Sequence, residues 1–517
     1  MSDDLDVLQP DEPAVEPTAA TSGPGRVTHA MSRQGRTRVG LPALVGWLLV
    51  AVAAVGFLAS TPPSAGPDEP VQQATAWYLS GHGLPPDNTS LEYSVPQSLV
   101  AYPCFAFHST QSAACMPPES QDMGTYNMVL NYPPPYFWVV GGGQRLAALV
   151  GLQYADVGGR IASLLLSLGT LLLLSLYMRR RNPLWGNFLL LVSTPTAVFL
   201  NAVVNPSGWE ITCGIAMAAV LAEAVWGRQS AFESGPWSKS TIAILALTSI
   251  GLSTARPLGF LWAAGLTVSA IALAPSIRRR GLLRIACAVA PGIVMGAIWY
   301  RTHTYGVAAP STVTGLLKAF AETFLDTTMY TRQMFGGLGW VDTMIPDVLL
   351  LVIYAAWAVL LARLPSIRKA AIVCGVFGIL VVPCAISATV WSAWPLWWQG
   401  RYDMPFALGF ILLLLLRSGR FIPRTISVVS GISLLSLGIM VWVNAVRYGL
   451  GVDDIDLPAQ LRTLGISPIR LGISAVLGAV LVLIGGYLLW EAWRTKPDLA
   501  PGDEPEHFLT PSESGVG

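Results

Sequence analysis

Charge is scarce in this chain. Of its 517 residues only 12% are Asp, Glu, Lys or Arg, while 53% are hydrophobic. A soluble domain carries roughly 25% charge, so a water-soluble fold of this size would have too few ionisable groups to cover its surface. The bilayer is therefore the expected solvent. A basic excess is also missing: the net charge is +1, and without a positive field nucleic acid is not an expected partner. Cys and His number only six and five, and none fall at a zinc-site spacing. No repeat of fixed period is visible, which weakens the case for an inverted-repeat transporter. A signal peptide is not expected either, because Asp3, Asp4, Asp6, Asp11, Glu12 and Glu16 precede the first apolar run near Leu41.

The apolar residues are sorted into runs. Residues 1–39 alternate acids with Pro, Ala, Ser and Thr and are expected to be a disordered cytoplasmic tail; 496–517 read the same way. Between them, 40–495 is expected to be one multispanning, all-α membrane domain. A span needs about 20 mostly apolar residues, and about twelve candidates occur. They centre on 41–60, 158–177, 184–204, 207–226, 240–255, 257–274, 282–300, 345–362, 370–390, 404–416, 424–445 and 469–490. Basic residues fall in every second connection: Arg33/Arg36/Arg38, Arg179/Arg180/Arg181, Arg228/Lys239, Arg278/Arg279/Arg280/Arg284, Arg363/Arg368/Lys369, Arg417/Arg420/Arg424 and Arg494/Lys496. The positive-inside rule then places both termini in the cytoplasm.

The outward connections are 61–157, 301–344, 391–403 and 446–468. The first is the longest. Its Cys104 and Cys115 face an oxidising compartment, where an intraloop disulfide is expected and two unpaired cysteines are the alternative. Cys213, Cys287, Cys374 and Cys384 lie in expected helices and read as small packing residues. The stretch 136–153 (YFWVVGGGQRLAALVGLQ) carries Arg145 amid three glycines. It reads as an amphipathic helix in the outer interface rather than a further span.

Against bland spans, the polar clusters on the outer side stand out. Asp68 and Glu69 sit in PPSAGPDEP, directly after the first span. Prolines restrict that backbone, and a carboxylate fixed there suits a general base or a divalent-metal ligand. A solvated loop start is the plainer reading. Asn131–Tyr136 (NYPPPY), with Tyr132, suits headgroup anchoring. Asn205–Glu210 (NPSGWE) places Glu210 at the hydrocarbon edge. There it requires a cavity, a partner or a helix N-terminus. Arg256 belongs to the same layer. Arg401 in WWQGRYD, beside Tyr402 and Asp403, offers a planar fork for phosphate oxygens; the alternative is an aromatic belt with one snorkelling arginine. Trp340 and Asp342 lie in FGGLGWVD, a Gly-rich outward loop.

These motifs, in this order, resemble the bacterial membrane family of domain of unknown function 2142. The carriers are PDEP at 67–70, Tyr132–Tyr136, NPSGWE, FGGLGWVDT and QGRY, within roughly 41–445. One departure is Val71-Gln72, where the family often has Ala-His, so no role of that histidine transfers. The family in turn is similar to multispanning, GT-C-type glycosyltransferases that use polyprenyl-phosphate sugars. That resemblance implies a long first extracytoplasmic loop with interfacial helices, and a catalytic carboxylate at Asp68 with Glu69 assisting. The implied activity is inverting transfer of a sugar from a polyprenyl-phosphate donor to an envelope glycan or glycoprotein, at the outer face of the cytoplasmic membrane. Asp68 would take the acceptor proton. Arg401 and Arg256 would hold the phosphate, with Glu210, Asn205, Tyr132, Tyr402, Trp340 and Asp342 lining the site. A divalent metal is left open. A transporter or flippase for a lipid-linked envelope component is the alternative, and an envelope-assembly scaffold is another. Span centres of Leu, Ala, Val, Ile and Gly weigh against passage.

Overall fold

The computed structural model describes residues 40–84, 91–117, 120–128, 131–226, 238–274, 277, 279–303, 312–364, 369–390, 398–418, 422–452 and 464–494. Both expected tails lie outside the described residues, as do Arg228, Arg278, Arg368, Arg420, Lys496 and Trp397.

Helix α1 (Ala43–Ser60) reads ALVGWLLVAVAAVGFLAS, with no charged residue on any side. In hydrocarbon every backbone N–H and C=O must be satisfied within the segment, so such a run closes into a helix. The long connection 61–157 follows with α2 (Glu69–His82), β1 (Leu91–Pro96), α3 (Gln97–Val100), β2 (Met123–Met128) and α4 (Pro135–Ala148). Strands β1 and β2 form an antiparallel hairpin with Tyr93 opposite Tyr126. Next come α5 (Ala155–Met178), α6 (Trp185–Val192), α7 (Pro195–Ala202), α8 (Pro206–Trp226), α9 (Lys239–Ala255), α10 (Gly259–Ala272) and α11 (Arg279–His303). The remainder comprises α12 (Val313–Leu325), α13 (Thr327–Gly336), the tiny hairpin β3 (Gly337–Leu338) and β4 (Thr343–Met344), α14 (Asp347–Ala362), α15 (Lys369–Val376), α16 (Val382–Val390), α17 (Gly400–Ser418), α18 (Pro423–Gly449) and α19 (Pro468–Arg494). A π-helical turn, Phe377–Val381, joins α15 to α16.

The chain is an all-α membrane protein. Among the described residues, seven helices are long and apolar enough to cross a bilayer: α1, Leu152–Met178, α8, α11, Ala371–Ala388, α18 and α19. Three shorter apolar helices, α9, α10 and α14, stand where spans are expected. The two remaining candidates take other forms. The run 184–204 is broken into α6 and α7: Pro195 has no N–H to continue α6, and Thr194 opens a new helix by accepting a bond from Ala197 N at 3.3 Å. Every residue of both short helices is buried, as expected of helices apolar all round. The run 404–416 widens to the 19 residues of α17, which take in Arg401, Asp403 and Arg417.

The stretch 136–153 becomes α4, which has 14 residues. At 1.5 Å per residue it spans about 21 Å, short of the ~30 Å hydrocarbon layer. Its glycines permit close packing on both sides. A Cβ at Gly141 would strike the Ala76 carbonyl of α2, and one at Gly143 the Gly158 carbonyl of α5. Arg145 donates to the Trp77 carbonyl at 2.9 Å and lies over the Trp77 ring. Leu146, Leu149 and Val150 remain exposed. α4 thus fastens α2 to the bundle, and α2 begins at the site.

Candidate functional site

The PDEP turn builds two different carboxylates from adjacent residues. Glu69 N donates to the Gly66 carbonyl and Pro70 fills the first turn of α2, where a missing N–H costs nothing. Asp68 precedes the helix in the left-handed region, at φ 59° and ψ 14°, and its side chain makes no capping bond. This conformation costs an L-residue about 1–2 kcal/mol, which Asp tolerates better than most, and strain of this kind gathers at functional positions. The Asp68 carboxylate, 48% exposed, meets Arg401 Nη2 at 2.5 Å.

Glu69 points the other way and is wholly buried. Arg160 grips it bidentately, Nε to Oε1 at 2.9 Å and Nη2 to Oε2 at 2.7 Å. Val204 N and Gly66 N donate to the same two oxygens. Arg160 also donates to the Thr61 and Pro62 carbonyls and stands 3.4 Å from Asp156, which accepts from Gln73. With both oxygens fully engaged, Glu69 is a structural bracket between α1, α2 and α5. Of the two expectations for Glu69, orienting Asp68 or assisting a metal, this geometry suits the first: it holds the start of α2 beside Asp68.

Arg401 stands at the start of α17 because Gly400 lets that helix end abut α13. A Cβ at Gly400 would strike the Tyr330 carbonyl, and Gly400 N donates to Gln333 Oε1 at 2.8 Å. Arg401 also donates to Tyr402 Oη at 3.2 Å and to the Pro67 carbonyl at 3.4 Å. Arg256 arrives from a different helix. As the residue before Pro257 it is held extended, at φ −144° and ψ 160°, which ends α9 and turns the side chain inward. It donates to Ser207 Oγ at 2.9 Å and lies 3.9 Å from Glu210 Oε2. Its guanidinium carbon is 4.4 Å from the Tyr402 ring centre and 5.8 Å from that of Tyr132, while that of Arg401 is 5.1 Å from the Tyr402 ring centre. Tyr402 is thus shared by two guanidinium groups.

Asp68, Arg401, Tyr402, Arg256, Glu210 and Tyr132 therefore come together. Asn205 supports them: its Nδ2 donates to the Pro67 carbonyl at 2.7 Å, tying the NPSGWE turn to PDEP. The β1–β2 hairpin brings Tyr126 near; burial, and then the Asp68 charge, push its hydroxyl pKa up. Trp340 and Asp342 join a separate clasp. Trp340 Nε1 donates to the Ser64 carbonyl at 3.0 Å. Asp342 Oδ2 accepts from Phe107 N at 3.0 Å and from Arg447 Nη2 at 3.3 Å. Arg447 also donates to the Phe105 and His108 carbonyls. A disulfide joins Cys104 to Cys115 in the same loop. These two expected site residues thus brace the loop that carries Asp68 and do not join the arginine cluster.

Sequence reasoning missed Arg160, Asp156, Gln333, Arg447 and Ser207. Arg160 carried a usable signal, since it is an arginine inside the apolar run 158–177. Among the described residues, no group of three or more His, Cys, Asp or Glu side chains is placed to hold a metal ion. The site offers a half-exposed carboxylate beside one buried and one partly buried guanidinium group and tyrosine rings. That is chemistry for a proton and an anionic, oxygen-rich group.

Neither a curated protein nor a solved structure matches the chain. A family model described as "Predicted membrane protein (DUF2142)" matches residues 51–410, well over half of the sequence and the whole of this cluster. The chain belongs to that family, as the order of its outward motifs suggested.

Proposed function

We propose that this protein is a membrane glycosyltransferase that moves a sugar from a polyprenyl-phosphate donor to an envelope acceptor at the outer face of the cytoplasmic membrane. The observation that carries this reading is the Asp68–Arg401 ion pair, at 2.5 Å, with Tyr402 shared between Arg401 and Arg256. The reading takes the twelve apolar runs as crossings, with both termini cytoplasmic. The ends of α1, α9 and α18 and the starts of α5, α8 and α17 then share the outer side. Contacts among Thr61, Arg160, Glu69, Ser207, Arg256, Asp342 and Arg447 support such alternation.

In the resting state Arg401 neutralises Asp68. An arriving phosphate offers Arg401 a stronger, bidentate partner and frees the carboxylate. Asp68 then takes the proton of the acceptor hydroxyl as its oxygen bonds to the anomeric carbon. The bond from that carbon to the phosphate oxygen breaks, its electron pair leaves on polyprenyl phosphate, and the anomeric configuration inverts. Arg401 and Arg256 stabilise the charge that develops on the leaving phosphate. Glu210, beneath Arg256, fixes that guanidinium from behind, and Tyr132 and Tyr402 bound the sugar. The residues and charges all stem from this chain; a divalent metal is not needed to balance the step.

The test compares envelope glycans of a deletion strain complemented with wild type, Asp68→Asn or Arg401→Ala. The expected result is a glycan lost on deletion and restored by wild type alone. An Asp68→Asn protein that restores the full profile removes the base assignment. An unaltered profile on deletion overturns the enzyme reading.

A further inference from the structure

The outward connection 301–344 contains a helix that the functional cluster does not use. Thr312 caps α12 by accepting from Gly315 N at 3.2 Å. Its sequence VTGLLKAFAETFL divides into three faces at 3.6 residues per turn. One face packs against α16, with Thr323 buried. A second carries Lys318 and Glu322, paired at 3.7 Å and open to solvent. The third is an apolar stripe of Val313, Leu317, Phe320 and Phe324, spaced at three and four residues. None of this stripe is covered: Leu317 is 66% and Phe324 50% exposed.

A soluble protein rarely leaves two phenylalanines and two aliphatics aligned in water. Here the stripe is not isolated, because α16 is the end of the candidate span Ala371–Ala388. In its other half, α15 and the π-helical turn, that span exposes Ile372, Val373, Val376 and Phe377. A helix too short to cross, with an apolar stripe on one face and a charged pair on another, suits the plane of the bilayer surface. We propose that α12 is an interfacial helix whose Val313–Leu317–Phe320–Phe324 stripe docks among the hydrocarbon chains of the bilayer. Lys318 and Glu322 face water. The occupant is lipid, because α12 packs on the end of a candidate span whose other half exposes apolar side chains, and the charged face opposite the stripe gives the helix a wet side.

This docking reaches the cluster. Asp326 joins α12 directly to α13, and α13 presents Gln333 to Gly400 N and its Tyr330 carbonyl to the Gly400 backbone. Arg401 follows. The bilayer surface is therefore connected to the arginine by one helix and one hydrogen bond. A lipid-linked substrate approaching along α12 would meet the site from the hydrocarbon side.

The test reads depth, so it is independent of activity and stays distinguishable from a failure of the proposed reaction. In a background with Cys287→Ser and Cys374→Ser, single variants Leu317→Cys, Phe324→Cys, Lys318→Cys and Glu322→Cys carry an environment-sensitive fluorophore. The full chain is placed in phosphatidylcholine nanodiscs with brominated acyl chains. Labels at 317 and 324 are expected to be quenched several-fold more strongly than those at 318 and 322. Equal quenching at all four positions, or none at 317 and 324, overturns the proposal. So does protection of 317 and 324 from quencher accompanied by crosslinking between copies, which would make a second copy the occupant.

Discussion

Replacing Arg160 with Met isolates the role of the bracket. The arginine is 2% exposed and, among the described residues, supplies the one cation in hydrogen-bond contact with buried Glu69, through two bonds of 2.9 and 2.7 Å. It also satisfies the Pro62 carbonyl at 2.6 Å and shares the Thr61 carbonyl with Arg470. Met fills similar volume but leaves Glu69 charged with only the Val204 and Gly66 amides, and leaves Pro62 O without that donor. Stranding one partner of a buried pair costs about 3–5 kcal/mol. Glu69→Gln keeps one accepting oxygen and leaves Arg160 beside Asp156, so its cost is nearer the ~1–3 kcal/mol of one unmade buried hydrogen bond.

The measurement is unfolding of the detergent-solubilised protein, for each single variant and for Glu69→Gln/Arg160→Met together. In the double variant no buried carboxylate is stranded at 69. It should therefore be less costly than the sum of the singles, by a coupling of about 0.5–3 kcal/mol. Asp68→Asn is the control one residue away. Asp68 is half-exposed, and exposed ion pairs contribute about 0–1 kcal/mol. Additive singles, or an Arg160→Met protein within about 1 kcal/mol of wild type, would refute the bracket. An Asp68→Asn protein that unfolds as readily as Arg160→Met would refute the division of labour.

Other outcomes follow from the same geometry. Arg401→Ala should lower transfer by about 10²–10³-fold, the cost of one donor aimed at developing charge, with unfolding changed little; the readout is turnover against thermal stability. Gly400→Ala places a Cβ against the Tyr330 carbonyl. Overpacking of this kind costs about 1–3 kcal/mol, and a shifted α17 start should cost transfer more than it costs stability. Asp342 gives a pH signature. Burial, opposed mainly by Arg447, pushes its carboxyl above the ordinary aspartate value. With the folded value above the unfolded one, the folded state binds the extra proton. Stability from this group is present at low pH and is lost as pH rises through the raised value. Asp342→Asn should flatten that slope in unfolding curves taken from acid to neutral pH; an unchanged slope would remove the assignment.

How much of this was legible in the sequence depends on the range of the interaction. The apolar runs speak for themselves, since lipid forces each to satisfy its own backbone. Even there, 184–204 looked like a span. Its length and composition are those of a span, and whether or not the pair crosses, Pro195 divides it into two short helices buried all round. The α12 helix was hidden by its length: it has 13 residues, with Lys318 and Glu322 among them, too short to register as a span and enough to make a stripe. The meeting of Asp68 with Arg401 bridges 333 positions. No periodicity encodes such a distance; only the order of motifs on alternating ends hinted at it.

The adjacent carboxylates show the same limit most sharply. By composition Asp68 and Glu69 are interchangeable, and the motif alone pairs them. The backbone separates them. Pro70 sets the helix start one residue after Asp68, which leaves Asp68 in the left-handed region and Glu69 in the first turn, aimed at α5. What settles Glu69's role is an arginine 91 residues later. That arginine was readable: a charge in an apolar run requires a buried counter-charge, and PDEP sets two acids directly after the preceding span. Pairing Arg160 with a carboxylate of PDEP would have left the other carboxylate exposed for chemistry. The inference available from sequence was therefore that one acid serves the fold and one the substrate. Only the helix start, fixed by the proline, decides which is which.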